Sequence, residues 1–286
     1  MWTSTFFHIF FNQANALRRL ALLRISVGVV VAVLLGFGID AEFVGQLAMI
    51  FDADNVPAPI RVMLPHLDLF RLFGVGAAIL YAIGIALRIS GAVLIVSLGT
   101  IGYVDASLAP GPWAFHTHLL FFTAFLMFTR CDKHYAIRGA RHPATSDETR
   151  QASAALSAMQ LYIAVVYFQT GLSKLYHSGV DWFTSGDTAQ FFMERIGTPL
   201  GREMAEYPEV AIAGSILTGV FELIFLFLFL FFYRATFVLI ITAILFHLAM
   251  LATLGIAFWH LWALFPALFL LKRKPDLRQI DNCQPA

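Results

Sequence analysis

Five side chains able to exchange protons stand in or beside long apolar runs of this sequence: His116, Lys174, Glu222, His247 and His260. An ionisable group at bilayer depth is costly, so by default it marks a wet interior or a functional site. An amine held in low dielectric loses proton affinity and becomes usable as a general base. Imidazoles beside it can hydrogen-bond a phenolic oxygen or carry protons away. The substrate that suits such a base is lipophilic and carries an acidic proton, and a quinol arriving laterally from the bilayer meets both conditions.

Spacing adds direction. Lys174, Thr170, Tyr167 and Gln160 are separated by four, three and seven residues, which predicts one polar helix face turned inward. Ser215, Thr218 and Glu222 repeat the device. His116 and His118 stand about 200° apart around a helix, so one cavity takes one of them; His116 is the inward choice and His118 the structural or interfacial one. Each group also has a plainer role: Lys174 can snorkel to headgroups, His247 can bond between helices, and Glu222 can form a structural ion pair. Arg24 reads as a snorkelling anchor, and His8, His66, His142 and His177 as surface residues.

The composition says what kind of element holds these groups. Of 286 residues, 59% are hydrophobic, 15% aromatic and 13% charged, with a mean hydropathy of +0.76, against about one quarter charged in a globular domain. A single soluble domain is excluded. Nineteen Lys+Arg against eighteen Asp+Glu leave a net charge of +1, which provides no basic field for a polyanion, so nucleic acid is not a partner. Cys131 and Cys283 match no metal-ligand spacing and build no disulfide framework, and no metal is expected.

A helix needs about 20 apolar residues to cross the hydrocarbon core. Runs bounded by charge lie at 20–39, 69–88, 90–108, 113–129, 153–175, 209–232, 235–253 and 256–271, the last containing Pro266. The expected fold is an all-α polytopic integral membrane protein with about eight transmembrane helices. With both termini inside, thirteen basic residues fall on the inner side and five, Arg61, Arg71, Lys174, Arg195 and Arg202, on the outer. Cytoplasmic loops hold the Lys/Arg excess, so an N-in/C-in topology in the cell membrane is expected, with the ionisable cluster toward the outer side.

One membrane domain covers 1–286: an interfacial helix at 1–16, a core at 17–271 and a cytoplasmic tail at 272–286. In the first outer loop, 40–67, apolar residues recur at helical spacing and predict a second interfacial helix. The second, 177–208, carries Trp182, Phe183, Phe191 and Phe192; the two loops read either as a roof over an outward cavity or as a pair of interfacial struts. Phe225 to Phe232 reads as a lipid-facing tract.

Certain of these residues lie in strings that resemble the membrane region of vitamin K-dependent γ-carboxylases, the HTTM domain. The strings are Trp113-Ala114-Phe115-His116, Asp132-Lys133-His134-Tyr135, Tyr167 through Leu175 with Asp181-Trp182 following, and Phe246-His247-Leu248-Ala249-Met250. The resemblance covers most of the chain, and its most specific part is Tyr-Phe-x-x-Gly-x-x-Lys-Leu followed by Asp-Trp.

The resemblance implies that Lys174 deprotonates a reduced naphthoquinone of the vitamin K or menaquinol type. O2 then adds and the quinone epoxide forms through a strongly basic alkoxide. In the family that alkoxide removes a γ-proton from glutamate, and CO2 captures the carbanion. It implies His116 as a histidine assisting this chemistry and His247 as one lining the quinol pocket. Beside them, Tyr167, Thr170, Trp113, His260 and Glu222 are expected as further cofactor-binding residues. Two departures stand beside it. Ser173 occupies a position where the carboxylases have a second lysine, and fifteen residues follow Leu271 where they have a long peptide-handling region.

Two functions are therefore carried forward. One is a quinol-dependent membrane oxygenase using Lys174 as base, with CO2 and a peptide substrate as an extension. The other is a non-enzymatic membrane protein, either a partner in maturing or exporting a secreted peptide or a small-molecule transporter.

Overall fold

In the computed structural model the described residues are 13, 15–37, 58–108, 115–137, 144–232, 236–256 and 258–270, and they are helical almost throughout. They fall into two compact units, one running up to Ser157 and the other covering Ala158–Leu270.

Among the described residues, six helical stretches are long and apolar enough to cross a membrane: Ala16–Phe37, Arg61–Ala82, Leu87–Val104, Ser146–Ser178, Pro208–Phe231 and Thr236–Leu254. They correspond to six of the eight expected spans. The other two, 113–129 and 256–271, are represented among the described residues by shorter apolar helices, Thr117–Met127 and Trp259–Phe269. In the second of these, Pro266 opens a π-helical stretch, Pro266–Leu270; proline cannot donate to the ordinary ladder, and the turn widens around it. The expected interfacial helix at 1–16 lies almost wholly outside the described residues. So does most of the 40–67 loop, whose described end begins with a short helix, Ala58–Met63.

The first unit contains α1 (Ala16–Phe37), α2 (Ala58–Met63), α3 (Leu67–Ala82), α4 (Leu87–Leu108), α5 (Phe115–Met127) and the start of α6 (Ser146–Ser178). Leu20, Leu23, Val27, Val31 and Leu35 form the buried stripe of α1 at helical spacing. Gly28 lets α3 close on that stripe, since a Cβ there would meet the Ala78 carbonyl oxygen at 2.7 Å. Arg24 is fully buried rather than snorkelling. Its guanidinium donates to the carbonyls of Cys131 (2.8 Å) and Tyr135 (2.7 Å), because those turn carbonyls have no helical donor and a buried acceptor requires one.

Tyr135 is thereby held at a positive φ of 49°, and its hydroxyl accepts from Arg18. Lys133 pairs with Glu148 at the start of α6. There Thr145 and Glu148 form a reciprocal capping box, the Thr145 N–H donating to Glu148 Oε2 (2.9 Å) and the Glu148 N–H to Thr145 Oγ1 (3.2 Å). Cys131 is buried in the same turn, and burial pushes its thiol up to about 11.

The second unit contains the rest of α6, then α7 (Asp181–Thr184), α8 (Asp187–Ile196), α9 (Pro199–Ala205), α10 (Pro208–Phe231), α11 (Thr236–Leu254) and α12 (Trp259–Trp262), followed by the π-helical turn. The 177–208 loop is thus three short helices. Gly186, at φ +73° against the backbone of Ala211 and Ile212, makes the turn into α8 that a side chain would obstruct. Thr198 caps α9 by accepting from the Gly201 N–H (3.1 Å) and donates its own hydroxyl to Ala252 of α11 (2.6 Å). Met193, Ala205 and Ala211 form a small core beneath these helices. The Phe225 to Phe232 tract divides: Phe225 and Phe229 are buried, whereas Phe227, Phe231 and Phe232 are exposed, as the 3.6-residue period requires of a helix with one packed face.

Candidate functional site

Three helices of the second unit supply the polar groups at its centre. On α6 the buried stripe runs Gln160, Ile163, Ala164, Tyr167 and Gly171, and half-buried Lys174 continues it. On α10 it runs Ser215, Gly219, Glu222, Phe225 and Phe229, and on α11 Leu239, Ile240, Ala243 and His247. Each polar group sits at a position the helical period turns inward. Ordinary amphipathic packing therefore brings them together.

Lys174 is not an isolated amine. Its Nζ donates to both carboxylate oxygens of Glu222, at 2.6 Å and 2.5 Å, and lies 4.8 Å from the centre of the Trp182 ring on α7. The side chains are 21% and 6% exposed, so the pair is largely withdrawn from solvent. Two small residues permit this closeness. Gly171, one turn before Lys174, faces Glu222 and Leu223, and Gly219 leaves room for the Phe183 ring, which seats α7 and with it Trp182.

Two turns further along α6, roughly 10 Å at 1.5 Å per residue, Tyr167 and His247 share a hydrogen bond of 2.6 Å between the hydroxyl and Nε2. The Tyr167 ring stacks on Phe225 at 4.3 Å and meets Phe221 edge-on at 5.4 Å. The His247 ring is packed by Phe246, Phe258 and Trp262 at 5.1, 4.6 and 6.2 Å. His247 Nδ1 and Trp262 Nε1 are both buried without a hydrogen bond among the described residues. Two such polar atoms among aromatic rings, with no hydrogen bond among the described residues, are the contacts that a hydroxyl or carbonyl oxygen would complete.

The other candidates divide. His260 is buried, near Phe258 and Trp259. Thr170 is exposed and returns its hydroxyl to Val166 of its own helix (2.8 Å). It lies about 60° around the helix from Tyr167, enough to leave the stripe, so the four-residue polar face is narrower than its spacing suggests. Gln160 donates to the Leu268 carbonyl and thereby ties α6 to the π-helical turn. Trp113 and the side chain of His116 lie outside the described residues. Sequence reasoning did not select Trp182 or Trp262 as site residues. The first was visible only as part of a string, and nothing in the spacing of the second pointed inward.

The HTTM domain profile matches residues 12–272, nearly the whole chain, and the chain belongs to that family. HTTM is the membrane domain shared with vitamin K-dependent γ-carboxylase. Neither a curated protein nor a solved structure matches the chain.

Proposed function

From membership of the HTTM family, we propose that the chain is a membrane-embedded oxidoreductase acting on a reduced naphthoquinone of the vitamin K or menaquinol type, with the Lys174–Glu222 pair as its base. The quinol supplies the acidic O–H and the electrons; with O2 the products are the quinone epoxide and water. The observation that carries the reading is the pairing itself, two proton-exchanging groups in contact within an apolar unit that also holds the Tyr167–His247 pair.

An ammonium beside a carboxylate and an amine beside a carboxylic acid have the same proton count. In either form the pair can take up one more proton, ending as Lys174 ammonium and Glu222 carboxylic acid. Glu222 therefore shares the base function that spacing alone assigns to Lys174. Tyr167 orients His247, whose Nδ1, with Trp262 Nε1, is placed to hold a quinol oxygen. His260, buried beside Phe258, and Thr170, Trp113 and His116 complete the proposed set. The proposal carries with it eight crossings, both termini inside and a site toward the outer face, supported by the thirteen-to-five distribution of basic residues.

The test is epoxide formation by purified protein in lipid nanodiscs, given reduced vitamin K or menaquinol under air. Wild type is expected to form epoxide, and Lys174→Ala to lose about 10²–10⁴-fold in rate, the usual contribution of a positioned base. Labelled bicarbonate in the same assay, with a candidate peptide, tests the carboxylating extension. The same ion pair also supports the non-enzymatic reading, because a satisfied pair can simply join two helices. No epoxide from folded wild type across several quinols would overturn the oxygenase reading in favour of that one.

A further inference from the structure

The Asp132-Lys133-His134-Tyr135 string is not among the residues assigned above to the quinol site, and in the first unit Lys133 and Tyr135 are engaged with Glu148 and with Arg18 and Arg24. Asp132 instead lines a cavity of about 490 Å³, whose walls include Arg88 and Ile89 in the first turn of α4, and Met127, Thr129 and Arg130 at and just beyond the end of α5. Its polar groups are unequally satisfied. Arg130 is 3.7 Å from Asp132 Oδ1 and 3.5 Å from Glu148 Oε1, whereas Arg88 is exposed and makes no ion pair among the described residues. Asp132 Oδ1 is covered while its side chain as a whole is 40% exposed, which leaves Oδ2 as the accessible acceptor.

A second groove, about 280 Å³, shares Thr129 and Arg130 and continues between Phe125, Phe128, Ala152 and Ala155. From Arg130 back to Phe125 the groove enters α5, and from Glu148 to Ala155 it follows α6 by about 10 Å. Both directions lead away from helix ends and into apolar spans. Ile89 lines the first groove and Phe128 the second, and both are exposed, at 70% and 74%. Charge at the helix ends, with an apolar track descending from it, is the polarity of a lipid molecule.

We propose that these adjoining grooves hold one phospholipid, its phosphodiester on Arg88, a headgroup hydroxyl or amine donating to Asp132, and an acyl chain lying along Phe125 and Phe128. Guanidinium suits a phosphate geometrically, and basic pockets between membrane helices at headgroup level take lipid phosphates. A glycerol or ethanolamine headgroup offers the donor that Asp132 needs; choline does not.

The experiment reconstitutes the full chain in nanodiscs of equal phosphatidylglycerol, phosphatidylethanolamine and phosphatidylcholine, re-extracts it gently and measures retained lipid by mass spectrometry. Wild type is expected to retain the glycerol or ethanolamine lipid several-fold over choline lipid. Arg88→Ala is expected to lose that retention and Arg88→Lys to keep part of it. Asp132→Ala should retain lipid without discriminating against choline, and Ala155→Phe should lose lipid through the apolar groove with no change of charge. Retained lipid of bulk composition in wild type overturns the proposal, as does an Arg88→Ala variant that retains as wild type does. Displacement of the lipid by inorganic phosphate overturns it in favour of a free-anion site.

Discussion

Gly171 of α6 stands directly against Glu222 of α10: a Cβ at Gly171 would come within 3.0 Å of both Glu222 Cβ and Leu223 Cγ. The glycine sits three residues before Lys174 and sets how near α10 approaches, so the same contact that admits Glu222 brings its carboxylate to the amine. Close helix approach through small residues is the usual packing solution in membranes, where lipid tails remove the hydrophobic drive between helices.

Gly171→Ala should therefore be harmful despite alanine's better helix propensity. Overpacking costs about 1–3 kcal/mol, and replacing a helical glycine returns about 1 kcal/mol, so a net loss of about 1 kcal/mol is expected. Thermal denaturation in detergent measures it. An unchanged or raised midpoint would show that α6 and α10 have slack at this point.

Lys174 and Glu222 should show strong coupling. Breaking a buried pair by removing one partner costs about 3–5 kcal/mol, while replacing both by apolar groups is often neutral; because Lys174 is 21% exposed, single losses of about 2 kcal/mol are expected. A double-mutant cycle with Lys174→Met and Glu222→Leu should find the double variant more stable than the sum of the singles. Simple additivity would mean the two charges are screened from one another by water or lipid headgroups.

The Tyr167–His247 bond gives a different signature. Tyr167→Phe leaves His247 with no hydrogen-bond partner among the described residues, at about 1–3 kcal/mol for an unsatisfied buried group, yet keeps the stacking on Phe225. If His247 holds the quinol, the variant should raise KM for the quinol more than it lowers kcat. A pure kcat effect would instead place Tyr167 on the proton path.

Glu148 supplies a pH dependence remote from the membrane interior. It lies in the first turn of a 33-residue helix, about 50 Å long against a hydrocarbon core of about 30 Å, so it projects beyond the span. The hydrogen bond from Lys133, and then the Thr145 N–H, hold its carboxyl down at about 2 from an ordinary value of 4.5. A group with a depressed folded pKa contributes stability above its unfolded value and loses it as pH falls through the folded one. Wild type should therefore lose stability between about pH 4.5 and 2 that Glu148→Gln, already lacking the charge, does not lose. Parallel melting curves across that range decide it.

The family and the six long spans were legible from residue order, because the cost of placing apolar or ionisable groups in a bilayer depends first on depth, which a run length measures. That same logic singled out Glu222, His247 and Lys174 from their apolar surroundings. Azimuth and partner were another matter. Spacing put Thr170 on the inner face, yet it lies just off the packed stripe. Depth alone made Arg24 an anchor to water, whereas two turn carbonyls more than a hundred residues away take its guanidinium.

Only the tertiary structure decided that Lys174 meets a carboxylate and an indole, and that one imidazole nitrogen of His247 and the indole nitrogen of Trp262 remain without a hydrogen bond among the described residues. A helix period specifies which residues share a face. Which faces then meet, and at what height, is set by small residues such as Gly171 and Gly219 and by turn carbonyls that need a donor, and those requirements become visible only when the helices are packed.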